Sequence, residues 1–128
     1  MNKAVNDKRP VNLDLSTIKL PFPALISFLH RVTGVILFAG VAVLLWMFDA
    51  SLSSAEGFAG VKECLNSFFV KLIVWGVLSA LIYHTVAGVR HLVMDLGIGE
   101  TLEGGIKGAK IVAGVSAVLI IIAGGWIW

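Results

Sequence analysis

The stretch VTGVILFAGVAVLLWMF, residues 32–48, runs for 17 positions without an aspartate, glutamate, lysine or arginine. That length approaches the roughly 20 residues a helix needs to cross the hydrocarbon of a bilayer. The run extends backwards, because residues 20–29 are also uncharged and largely apolar. Two further uncharged runs follow, residues 72–89 and 111–128, with 18 positions each. Lys71 and Lys110 stand at their starts, where a long stem can carry the charge to the headgroups. Trp126 and Trp128 end the chain as interfacial aromatic anchors do. Composition agrees: 58% of the 128 residues are hydrophobic and 14% charged, against about a quarter charged in soluble domains. The reading is an all-α membrane protein with three transmembrane helices.

The remaining segments organise around those spans. Residues 1–23 form a polar N-terminal arm broken by PFP at 21–23, after which a helix can begin. The first span covers about 24–48, and DASLSSAEGFAGV falls in an outer loop at 49–65. The second span covers 66–94, a glycine-rich loop 95–106, and the third span 107–128. Lys3, Lys8, Arg9, Lys19 and Arg31 precede or open the first span, and Arg90, Lys107 and Lys110 flank the second loop. The first loop holds only Lys62. The excess of basic residues therefore puts the N-terminus and the second loop in the cytoplasm. No short apolar run with a small-residue cleavage site precedes the first span, so no cleavable signal is expected.

Several chemistries are disfavoured. Cys64 is the only cysteine, which rules out an internal disulfide, and no CxxCH haem-attachment motif occurs. There is no phosphate-binding glycine loop, no nucleophile–base arrangement, and no basic-aromatic pattern for nucleic acid. Chemistry must come from the few polar residues within the spans, since an unpartnered polar group in lipid is costly. Lys71 reads as a snorkelling residue, Tyr83 as part of a packing surface, Trp46 and Trp75 as interfacial residues, and Cys64 as incidental.

The second span reads LSALIYHTVAGVRHLVMDLG over 78–97. His84 lies six residues before Arg90, hence about 9 Å inside the end of the helix. His84, Gly88, His91 and Asp95 are spaced 4, 3 and 4 and share one face. A neutral imidazole at depth is a good metal ligand, and a glycine one turn away lets a flat group approach. Haem held by an imidazole is one reading. The other is that His84 hydrogen-bonds a neighbouring helix and Gly88 permits close packing.

SFLHRVTG, residues 27–34, opens the first span at the same end. Ser27, Arg31 and Gly34 form a stripe, with His30 on an adjacent face. Antiparallel helices would bring His30, Arg31, Arg90 and His91 to one level, with His84 beneath. Such a cationic ring suits anionic carboxylates, including haem propionates, and Ser27 can hydrogen-bond a carbonyl oxygen. Arginine at a helix end also serves topology alone, and a serine can bond back to its own backbone.

Two patterns resemble those of the cytochrome b subunit of bacterial and mitochondrial succinate dehydrogenase, a three-helix membrane anchor. The first is RP at Arg9 and Pro10, followed by S-x-x-H-R-x-T across Ser27, His30, Arg31 and Thr33. The second is H-x-x-x-G-x-R-H-x-x-M-D-x-G from His84 through Gly88, Arg90, His91, Met94 and Asp95 to Gly97. The resemblance covers essentially the whole chain. It implies that His84 is an axial ligand of haem b, that Ser27 and Arg31 line the ubiquinone site, and that His30, Arg31 and His91 lie near the haem propionates. It further implies half of a heterodimeric haem-binding helix bundle, with a second small membrane subunit supplying the other ligand. An iron–sulfur subunit and a flavoprotein subunit would dock on the cytoplasmic face of a bacterial inner membrane and pass electrons from succinate to ubiquinone.

The chain's own residues are consistent with a subunit rather than an enzyme. It lacks a flavin-binding fold and a cysteine set for clusters. His30 and His91 are expected a helix turn or more shallower than His84, so neither is an obvious internal second ligand. A fumarate reductase anchor, a haem-free anchor and a proton-relay subunit are the alternatives. A relay would call for an intramembrane acid, and no aspartate or glutamate falls within the uncharged runs.

Overall fold

Pro21, in an extended conformation (φ −63°, ψ 154°), turns the chain into the first helix, α1 (Phe22–Ser53). Pro23 falls in the first turn, where a missing N–H removes no intrahelical hydrogen bond. The structure, a computed structural model, describes residues 11–14 and 16–128. Arg9 and Pro10, the first element of the resemblance, lie outside the described residues, as do Lys3 and Lys8. Asn12, Asp14, Ser16 and Thr17 gather their polar groups: Asp14 Oδ1 accepts from Ser16 N (3.0 Å) and Ser16 Oγ (2.6 Å). Those bonds hold the Asp14 carboxyl below its usual range.

At 32 residues, α1 is longer than a span requires: about 48 Å against a hydrocarbon core of about 30 Å. It continues past Phe48, where Ser51 and Ser53 turn their hydroxyls back onto the carbonyls of Phe48 (2.7 Å) and Ala50 (2.8 Å). Ser54, at φ −165°, interrupts it and caps the next helix, accepting from Gly57 N at 2.9 Å. The segment expected to be loop therefore contains α2 (Ala55–Cys64). Glu56 in its first turn and Lys62 in its last complement the helix dipole. The serines and glycines read as loop chemistry act here as a cap and as small helix positions.

The second long helix, α3 (Phe68–Asp95), ends in a Schellman turn. Ile98 N donates to Val93 O (3.3 Å) and Gly97 N to Met94 O (2.9 Å), with Gly97 at φ +81°. Thr101 then caps α4 (Leu102–Ile127), accepting from Gly104 N at 3.1 Å. Three helices, α1, α3 and α4, are long and apolar enough to cross a membrane, and no strand occurs among the described residues.

In the bundle α3 packs against both α1 and α4. Small side chains let the backbones approach. One buried cluster joins Ile26, Ala87, Ala109 and Val112, and a second joins Leu37, Val77 and Ala80. Trp75, expected at the interface, instead donates its indole N–H to Ile120 O at 3.0 Å and ties α3 to α4. Large apolar side chains such as Phe38 (90% exposed) and Ile121 (71%) point outward. A water-soluble monomer does not sustain such a surface; lipid or further helices cover it.

Candidate functional site: a histidine cluster between α1 and α3

Helical periodicity on α3 stacks His84, Gly88 and His91 on one face, and α1 crosses that face with His30, Thr33 and Gly34. The three imidazoles meet. The His30 and His84 rings stack with centroids 4.0 Å apart and planes 13° from parallel. His91 meets His30 edge-on, with centroids 5.0 Å apart. His30 was expected a turn shallower than His84. Packing of α1 on α3 removes that offset, and the two rings lie face to face.

The His84 ring is held at one nitrogen. Its Nδ1 lies 3.0 Å from His30 O and 3.2 Å from Thr33 Oγ1. A backbone carbonyl only accepts, so the contact calls for a proton on Nδ1, and in the neutral ring that leaves the lone pair on Nε2. Glycines make room for both rings. A Cβ at Gly34 would lie 3.1 Å from His84 Cε1, and one at Gly88 would lie 3.4 Å from His30 Nε2.

Ser27 and Arg31 sit on α1 beside this cluster, Ser27 half-buried and Arg31 exposed. Tyr83 secures the same turn by donating its hydroxyl to Ile26 O at 2.7 Å. Arg90 does not join the cationic group expected at this level. It turns to the opposite side of α3 and donates to Gly105 O at 3.1 Å, against Gly108. Asp95 ends the His84 stripe at the exposed end of α3. Sequence reasoning gave no role to Thr33 or to the Ile26 carbonyl; only Thr33's place three residues after His30 hinted at one.

Three helices long and apolar enough to cross a membrane, with three imidazoles gathered between two of them, define a helical membrane anchor. Residues 5–123 match the family described as succinate dehydrogenase/fumarate reductase transmembrane subunit, and the chain belongs to that family. It is similar to the succinate dehydrogenase cytochrome b556 subunit of Coxiella burnetii, 41% identical over 97% of this chain and 100% of the relative. The cytochrome b556 subunit of Paracoccus denitrificans is 33% identical over 89% of this chain and 88% of its own length. The mitochondrial cytochrome b560 subunit of Sus scrofa is 31% identical over 79% of this chain and 61% of its own.

Proposed function

We propose that this chain is the cytochrome b anchor of a succinate dehydrogenase. It holds haem b through His84 Nε2 and helps to form the site where ubiquinone is reduced. The observation that carries the reading is the His84 ring itself, with Nδ1–H bonded to the His30 carbonyl at 3.0 Å. Metal-bound histidines characteristically donate their second nitrogen in this way, which fixes tautomer and aim.

The residues present fit the group. Gly34 and Gly88 give the two stacked rings room to pack between the helices, and His84 Nε2 makes no hydrogen bond that would compete with a metal. His30, His91 and Arg31 offer N–H donors to carboxylates, and the guanidinium can bind them in two-pronged fashion. When bound, haem b supplies a one-electron redox centre beside the quinone.

The rest is the work of the chain's own side chains. Ser27 donates its hydroxyl to a quinone carbonyl, and Arg31 stabilises the negative charge that develops on that oxygen during reduction. Overall, succinate gives up two electrons and two protons, and ubiquinone takes up two of each.

A second ligand to the haem iron would come from another chain. Rings stacked face to face 4.0 Å apart do not aim their Nε2 atoms at one another, so His30 would not bind the same iron opposite His84. A second small membrane subunit supplies that ligand. An iron–sulfur subunit and a flavoprotein subunit supply the electrons, and the relatives' naming as succinate dehydrogenase subunits favours this assembly. Basic residues gathered at the His30 end support a bacterial cytoplasmic membrane location with the N-terminus in the cytoplasm.

A reduced-minus-oxidised absorption spectrum of the purified complex tests the reading. A low-spin b-type spectrum that disappears in His84→Ala is the expected result; an unaltered spectrum would exclude His84 as the ligand. In the same preparations, Arg31→Leu is expected to lower quinone reduction roughly 10²-fold. Succinate oxidation by a soluble acceptor should stay intact in that variant.

A further inference from the structure

Thr33 belongs to the S-x-x-H-R-x-T stretch, and the proposed function gives it no role. Its hydroxyl lies 2.9 Å from His30 O, 3.0 Å from Leu29 O and 3.2 Å from His84 Nδ1. We propose that Thr33 is a positioning residue for His84: its hydroxyl oxygen and the His30 carbonyl together hold the Nδ1 proton, setting the tautomer and the aim of Nε2. The inference rests on the reading of His84 as haem ligand.

A threonine hydroxyl has one proton and two lone pairs. Two carbonyls one turn back, on Leu29 and His30, are acceptors only, so the proton of Thr33 goes to one of them. The oxygen then presents a lone pair to His84. Were Nδ1 unprotonated, its lone pair would face the His30 carbonyl oxygen at 3.0 Å with nothing between them. The arrangement is self-consistent only with a proton on Nδ1, shared between two acceptors. β-Branching restricts Thr33 to few rotamers, and the bond back to the helix fixes the hydroxyl further. Gly34 supports the ring beside it, since a Cβ there would press on Cε1 at 3.1 Å. Thus a five-residue segment of α1, from the His30 carbonyl to Gly34, shapes the seat of a side chain on α3.

The chemistry predicts a direction. Accepting the Nδ1 proton makes the imidazole more basic and favours the oxidised iron. Loss of one acceptor weakens that effect, and such outer partners are worth about 10–100-fold in metal affinity. Valine preserves the shape of threonine without the hydroxyl, and serine preserves the hydroxyl without the branch.

The test compares Thr33→Val and Thr33→Ser in the intact complex. The readouts are the haem midpoint potential and the rate of haem loss to an excess of an apo-globin acceptor. Thr33→Val is expected to raise the potential and to speed haem loss about 10-fold, and Thr33→Ser to restore parental values. Should the valine variant fail to assemble, Thr33→Ala removes the same hydroxyl and is read in the same way. A hydroxyl-free variant matching the parent in both readouts overturns the proposal while leaving His84 as ligand. A haem spectrum indifferent to His84→Ala overturns both.

Discussion

At Gly34 the backbone of α1 passes so close to α3 that a Cβ would lie 3.1 Å from His84 Cε1. The ring is tethered at Nδ1 by partners 3.0 and 3.2 Å away and has little freedom to yield. Gly34→Ala is therefore expected to tilt His84 by a few tenths of an ångström and to lower haem occupancy. Gly88→Ala, where the corresponding approach to His30 is 3.4 Å, should be much milder. Haem per complex, read from the reduced band of the two variants, checks this; equal parental occupancy in Gly34→Ala would contradict it. The spacing of His84 and Gly88 was legible in the sequence, but the partner of His84 was not. Periodicity places a residue on a face of its own helix and does not say which atom of another helix meets it.

Among the helices, the seam between α1 and α3 is built on a fit of small against branched. A Cβ at Gly40 would lie 2.8 Å from Val77 Cγ1, and Val77 is buried between the two helices. Gly40→Ala is expected to destabilise the complex by about 1–3 kcal/mol through overpacking. Val77→Ala in the same chain should recover most of that loss. Thermal unfolding of the two single variants and the double variant measures the coupling, and simple additivity would show that the seam relaxes elsewhere. Element types were readable from uncharged run length for α1, α3 and α4. The helix α2 was not, because Ser54, Gly57 and Gly60 read as loop composition, whereas Ser54 in fact caps the helix through Gly57 N at 2.9 Å. Arg90 likewise looked like a member of the cationic ring. Its position on α3 points it instead at the first turn of α4, where it bonds Gly105 O.

For the molecule as a whole, α1 crosses to the end of the bundle opposite the arm, and Cys64 is the last residue of α2 there. Cys64 is exposed and is the single cysteine of the chain. With the N-terminus in the cytoplasm, a membrane-impermeant maleimide is expected to label Cys64 in spheroplasts. A Cys64→Ser, Ser16→Cys chain should be labelled only after the membrane is opened; the reverse pattern would invert the topology. The sequence by itself determined the solvent and the number of spans and nominated the residues of the site, because residue type is a local property and uncharged length is one that bilayer thickness reads directly. The tertiary structure alone decided how those residues meet. Stacking of His30 on His84, the engagement of Nδ1 by Thr33 and the His30 carbonyl, and the departure of Arg90 toward α4 depend on how each helix is rotated and offset against its neighbours. Close packing of glycine and alanine against bulkier side chains sets that rotation, and it follows from shape matched across the seam, which no single run of sequence contains.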